Sequence, residues 1–280
     1  MDQKRLAVAL ALIIASLAAC VAWGAAPTGD EILVQVDQQG EFLGEGSLVT
    51  TLRFETVYAD GTSSTNLFGA LGNRREGGPE YSLVYFLEPA DLAGTIFLSA
   101  KKAGEEARLW LYLPALGLPK ELVSEEEKED SFAGSAISYQ DIGGRDLAGK
   151  YRAEIVREED LTVGNLVRSV YVLSLTARPG ATSDSALETM WVDKEEYILL
   201  RAESRSASGV LERVVEFAAL GRFEGRLTAD RIVARDFAGG STTTITFLER
   251  RRPAIDLPDG LFDPGSLATF DPAAYGLTAR

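Results

Sequence analysis

The feature that most constrains this chain is an apolar–polar alternation of period two that returns from about residue 47 to residue 248. In Ser47 to Tyr58, the residues Leu48, Thr50, Leu52, Phe54, Thr56 and Tyr58 fall on one side, and Arg53 and Glu55 on the other. A period of two puts alternate side chains on opposite faces of a strand. Comparable runs include Tyr81 to Glu88, Ala107 to Leu113, Val167 to Ala177 and Thr242 to Leu248. Turn pairs such as Asp60-Gly61 and Ser208-Gly209 separate neighbouring runs. The spacing predicts a mainly β protein of about 10–11 antiparallel strands, a sandwich or a barrel. No helix-rich intervals divide the strands, which argues against a parallel α/β sheet.

One helix is expected before the strands. Thr28 can cap it, and Asp30 and Glu31 suit its first turn. Ile32, Leu33 and Val36 then share a side, which predicts a helix over Asp30 to about Gln38. Lys120 to Asp130 is acidic and reads as a solvated loop or short helix, with a calcium or partner contact as the alternative. Residues from Pro258 onward read as an irregular tail.

Charge and residue types remove whole classes of function. The net charge is −14, which argues against nucleic acid and against electrostatic docking on anionic headgroups. The sequence has no histidine, and its one cysteine is Cys20. Catalytic triads and thiolate or imidazole metal sites are therefore not expected. Acids that could pair, such as Glu88, Asp91, Asp141, Glu154, Asp193 and Glu195, show no spacing that singles out two of them. The expectation is a non-enzyme, with no cofactor and no metal.

The first residues have the order of a secretory signal: Lys4 and Arg5, an apolar run from Leu6 to Ala19, then small residues. Two ends are open. Leu17-Ala18-Ala19-Cys20 is similar to a lipobox, which would acylate Cys20 and tether the protein. Cleavage near Gly24 to Ala26 would discard Cys20 and leave a soluble periplasmic protein. The expected organisation is a signal peptide over 1–26 and a single β domain over 27–280, about 255 residues.

Several strands carry large residues on both faces, as in Ser82-Leu83-Val84-Tyr85-Phe86-Leu87 and Arg108-Leu109-Trp110-Leu111-Tyr112-Leu113. A half-exposed antiparallel sheet alternates more cleanly. Either both faces lie under ordinary layers, or one lines an apolar groove.

Four stretches resemble the LolA/LolB-like outer-membrane lipoprotein-sorting family. They are Leu109 to Gly117, Ser131 to Ile142, Met190 to Asp193 with Leu199-Leu200-Arg201, and the closing Ile255 to Phe262. The second departs from the family phrase at Ala136 and Gln140, where acids are usual. The resemblance implies a single curved antiparallel sheet, an incomplete barrel, with a few helices as lid. It implies an apolar concave face for lipoprotein acyl chains or lipid. It also implies an inner-membrane donor and an outer-membrane acceptor as partners. By that analogy the candidate lining residues are Phe54, Tyr85, Phe97, Leu109, Trp110 and Leu111. The rival expectation is a structural or protein-binding envelope protein, or a lipid-sensing regulator, on the same fold.

Overall fold

The computed structural model describes residues 26–39, 46–75, 78–102, 105–144, 146–180 and 185–278, without the side chains of 185–188. The leader, Cys20 and both of its expected fates lie outside the described residues.

The chain opens with helix α1 (Gly29–Gln39). Thr28 caps it: its Oγ1 accepts from the Glu31 amide at 3.3 Å, and Glu31 Oε2 accepts from the Thr28 amide at 2.8 Å. This reciprocal pair satisfies two of the amides a helix start leaves open. Six strands follow: β1 (Gly46–Val57), β2 (Ser63–Arg74), β3 (Glu80–Glu88), β4 (Ile96–Lys101), β5 (Arg108–Tyr112) and β6 (Pro119–Leu122). A helical segment then carries α2 (Glu125–Glu129), a 3-10 turn (Phe132–Gly134), α3 (Tyr139–Gly143) and α4 (Leu147–Lys150). Seven strands complete the sheet: β7 (Tyr151–Val163), β8 (Leu166–Ala177), β9 (Ser185–Asp193), β10 (Leu199–Ser206), β11 (Leu211–Phe223), β12 (Arg226–Asp236) and β13 (Ser241–Arg251).

All thirteen strands form one antiparallel sheet in the order β6-β5-β4-β3-β2-β1-β13-β12-β11-β10-β9-β8-β7. It is an open sheet with β6 and β7 as its edges. Thirteen strands replace the ten or eleven expected. Strand β6 was hidden because Lys120 to Asp130 read as a loop or short helix, whereas β12 was expected over Arg231 to Asp236. The sheet is strongly rolled. The β7–β8 turn reaches β11, where a Cβ on Gly164 would stand 3.3 Å from the Ala218 carbonyl oxygen. In a flat sheet four strand spacings would put these strands about 19 Å apart.

Cross-strand register sorts the side chains of the first half onto two faces. Val49, Leu71, Leu83, Leu98 and Trp110 form one row of direct neighbours. We call this the outer face. The tail covers it with three 3-10 helices (Asp259–Phe262, Pro264–Thr269, Pro272–Tyr275), burying Leu257, Phe262, Leu267 and Leu277 against that row. The opposite, inner face carries Leu52, Phe54, Phe68, Ala70, Val84, Phe86, Phe97, Leu109, Ile232 and Ile245. The segment between β6 and β7 lies on it. Helix α1 and Leu147 pack beside it on Leu173, Met190 and Val192. Among the described residues no helix is long and apolar enough to cross a membrane, and no cluster of His, Cys, Asp and Glu could hold a metal ion.

Candidate functional site

The inner face and the segment over it, residues 123–150, form the candidate site. The segment starts from an orderly helix end. Ser124 caps α2 and Glu127 returns the bond to the Ser124 amide. Lys120 lies 2.6 Å from Glu127 and pulls its carboxyl down to about 2. Lys128 is nearly buried, and burial disfavours its charge. Hydrogen bonds to Glu125 and Glu106 at 3.0 and 3.2 Å more than offset this and hold its pKa up.

Beyond α2 the chain pinches into a loop. The Phe132 amide donates to the Ile137 carbonyl at 2.7 Å, and the Tyr139 amide to the Asp130 carbonyl at 3.1 Å. Ala133 and Gly134 both take left-handed backbone, with φ of 52° and 74°. Glycine adopts this readily and alanine does not, so Ala133 stores strain at the loop tip.

This loop drives Phe132 into the sheet. The ring is fully buried and meets Phe68, Phe86 and Tyr139 at 5.3 Å, Phe97 at 5.6 Å and Phe54 at 6.0 Å between centroids. Such contacts each contribute about 0.5–1.5 kcal/mol beyond area burial. Polar bonds hold the rest of the segment. The Ala136 amide donates to Thr243 Oγ1 at 2.9 Å, Ser99 Oγ donates to the Gly143 carbonyl at 2.6 Å, and Arg213 Nη1 pairs with Asp141 at 2.8 Å. Asp37 of α1 accepts from the Leu147 and Ala148 amides at 3.1 and 2.9 Å. Burial raises its carboxyl pKa, against those amides and Lys101. Gln140 is fully buried, and its Oε1 has no hydrogen-bond partner among the described residues.

A small void lies between segment and sheet. It is lined by Leu52, Phe54, Ala70, Val84, Ile142 and Ile245, with Ser82 as the polar member, and measures about 20 Å³. That is room for one water molecule, far below the roughly 300–1,000 Å³ of ordinary ligand pockets.

The predicted lining residues divide. Phe54, Phe97 and Leu109 are buried on the inner face, with Leu111 beside them. Tyr85 and Trp110 lie on the outer face under the tail, where Tyr85 meets Phe270 at 5.6 Å. Alternation decides this: Trp110 stands between Leu109 and Leu111 and must point the other way. The sequence reading also left Phe132 out of the lining set. The signal was present, since Phe132 opens the phrase before Gly134-Ser135.

Known proteins were compared with this geometry. A family model described as an uncharacterized protein matches residues 78–269, more than half of the chain. The crystal structure of a DUF1329 family protein from Desulfovibrio piger is similar, with a TM-score of 0.73 and 24% identity over 85% of this chain and 97% of that one. A putative outer membrane lipoprotein-sorting protein domain from Vibrio parahaemolyticus has a TM-score of 0.73 and 26% identity over 86% of this chain and 98% of that one. A LolA superfamily protein from Nitrosomonas europaea has a TM-score of 0.63 and 22% identity over 85% and 98%. No curated protein sequence matches significantly. With an open antiparallel sheet, a segment crossing its inner face, and a model match over residues 78–269, the chain belongs to the family of that model, and its fold is similar to those of the DUF1329, lipoprotein-sorting and LolA-superfamily structures.

Proposed function

We propose that this protein is an exported envelope carrier or acceptor that holds acyl chains of lipoproteins or lipids between its inner face and the segment 123–150. The observation that carries this reading is Phe132. A loop with left-handed backbone at Ala133 and Gly134 holds one apolar ring at the centre of an apolar concave wall. Withdrawal of that ring would expose Phe54, Phe68, Phe86 and Phe97 together, a surface suited to an alkyl chain. The chain is similar to a protein described as a putative lipoprotein-sorting domain, which supports the same reading. Its partners would be a donor at the inner membrane and an acceptor at the outer membrane. Acylation of Cys20 would make the protein the tethered acceptor, and its removal the soluble carrier. No step of this function needs a catalytic group.

A second reading is favoured by the size of the void. A void of about 20 Å³ admits no acyl chain while the segment stays in place, as in a structural or protein-binding envelope protein.

Export of the full chain from a bacterial host, followed by native and denaturing mass spectrometry, separates the two. A lipid-sized adduct lost on denaturation is expected. A clean mass that stays unchanged after incubation with an acylated lipopeptide would leave the structural reading.

A further inference from the structure

The inner face is apolar along most of its length but ends in a cation. Thr50 on β1 pairs directly with Ala70 on one side and Arg250 on the other. Ala70 lines the void, and Thr50 and Arg250 follow it in the same cross-strand row. The Arg250 side chain is 10% exposed, and its guanidinium lies 3.9 Å from the centroid of Phe247, an inner-face neighbour of Leu52. It donates to the Ala229 carbonyl.

Its carboxylate partner among the described residues is poorly placed. Asp230 is 53% exposed and stands 3.4 Å away. Two other buried cations are served better. Arg168 meets buried Asp193 at 2.7 and 3.0 Å, and Lys128 has two carboxylates within 3.2 Å. Burial of a cation without a close counter-charge is costly, and Arg250 accordingly has a lowered pKa, chiefly through desolvation. Beside it, Thr50 Oγ1 is fully buried and has no hydrogen-bond partner among the described residues. A hydroxyl without a partner and a guanidinium whose carboxylate is exposed, on directly paired residues, are the donors an anionic oxygen requires.

We infer that Arg250 and Thr50 form a headgroup subsite, and that the ligand is an acyl amphiphile with an anionic head, a carboxylate or a phosphate. The inference rests on the acyl-binding reading above and names its ligand class. The alkyl chain takes the place of Phe132 along Phe54, Ala70 and Val84, and the head meets the guanidinium and accepts from the Thr50 hydroxyl.

The test uses the exported full chain and three ligands sharing one tail: dodecanoate, dodecyl phosphate and dodecanol. Calorimetric titration should show at least one anion binding about tenfold tighter than the alcohol, the scale of a charge-assisted hydrogen bond. The tighter anion identifies the source as a fatty acid or a phospholipid. Arg250→Gln should remove the preference for the anion over dodecanol. Thr50→Val keeps the guanidinium and removes only a hydroxyl without a partner. It should fold as well as the parent and cut the preference about threefold. Equal affinities for all three ligands would overturn the headgroup subsite while leaving acyl binding standing. Absence of binding by any of the three would overturn both.

Discussion

The two faces of the first half of the sheet are equally apolar and differently covered. On the outer face the tail lays Leu257, Phe262, Leu267 and Leu277 on the row from Val49 to Trp110, and stacked rings such as Tyr81 and Phe262, 5.0 Å apart, complete it. On the inner face the cover sets Phe132, Ile137, Tyr139 and Ile142 on the wall and adds a few polar bonds, with strained backbone at the tip and a void beneath. Apolar character alone therefore does not mark a ligand face. What differs is the kind of cover: a tail of 3-10 helices outside, and inside a loop with left-handed backbone that sets one ring at the centre of the wall above a void.

The largest effect should come from truncating one ring on each side. Phe132→Ala and Phe262→Ala should each lower stability by about 3–5 kcal/mol in urea melts. Only Phe132→Ala should raise affinity for an acyl probe, because it vacates the inner wall. Equal changes in affinity from both would erase the distinction between the faces. Next is Gly69→Ala, where the new Cβ would lie 2.7 Å from a Leu277 methyl. Overpacking there should cost about 1–3 kcal/mol and loosen the tail. Acyl binding should not change, and a change would place the tail in the binding site.

A smaller effect is expected from Arg213→Gln, which removes the ion pair to Asp141. It should cost about 1 kcal/mol or less and speed uptake of an acyl probe in stopped-flow mixing. Unchanged uptake would mean that this pair does not hold the cover closed. The smallest effect is a pH dependence at the cover's hinge. The Glu127 carboxyl titrates near 2 in the fold, below its ordinary 4.5. Its cap is therefore fully in place above pH 4.5 and is lost as pH falls toward 2. The hydrogen-exchange protection factors of the Val123 and Ser124 amides, which donate to Glu127 at 2.9 and 3.2 Å, should be steady from pH 5 to 8 and fall only in acid. A loss of protection already at pH 5 would contradict the ion pair with Lys120.

The period of two was legible because most strands bury one apolar face, and α1 was legible from Thr28 and its three apolar residues to within one residue at either end. Where strands bury both faces, the pattern cannot say which face meets the cover, so Trp110 and Tyr85 were grouped with Leu109 and Phe97. The tail read as irregular because 3-10 helices have no long period. Its role rests on contacts such as Leu277 against Gly69, far apart in sequence. Arg250 gave no sign of its place, because burial of a charge depends on neighbours from β1 and β12 that its own strand does not reveal.

The order of the strands has a mechanical consequence. The two free edges of the sheet, β6 and β7, are joined in the chain by residues 123–150 alone. The rolled sheet is a bow, and this segment is its string. A guest that spreads the bow must draw slack from the string, at most about 3.3–3.6 Å for each residue pulled straight. On the proposed acyl-binding role, the widest guest is thus set by the length of the cover, and lengthening or shortening that one segment would change the capacity without altering a residue of the wall.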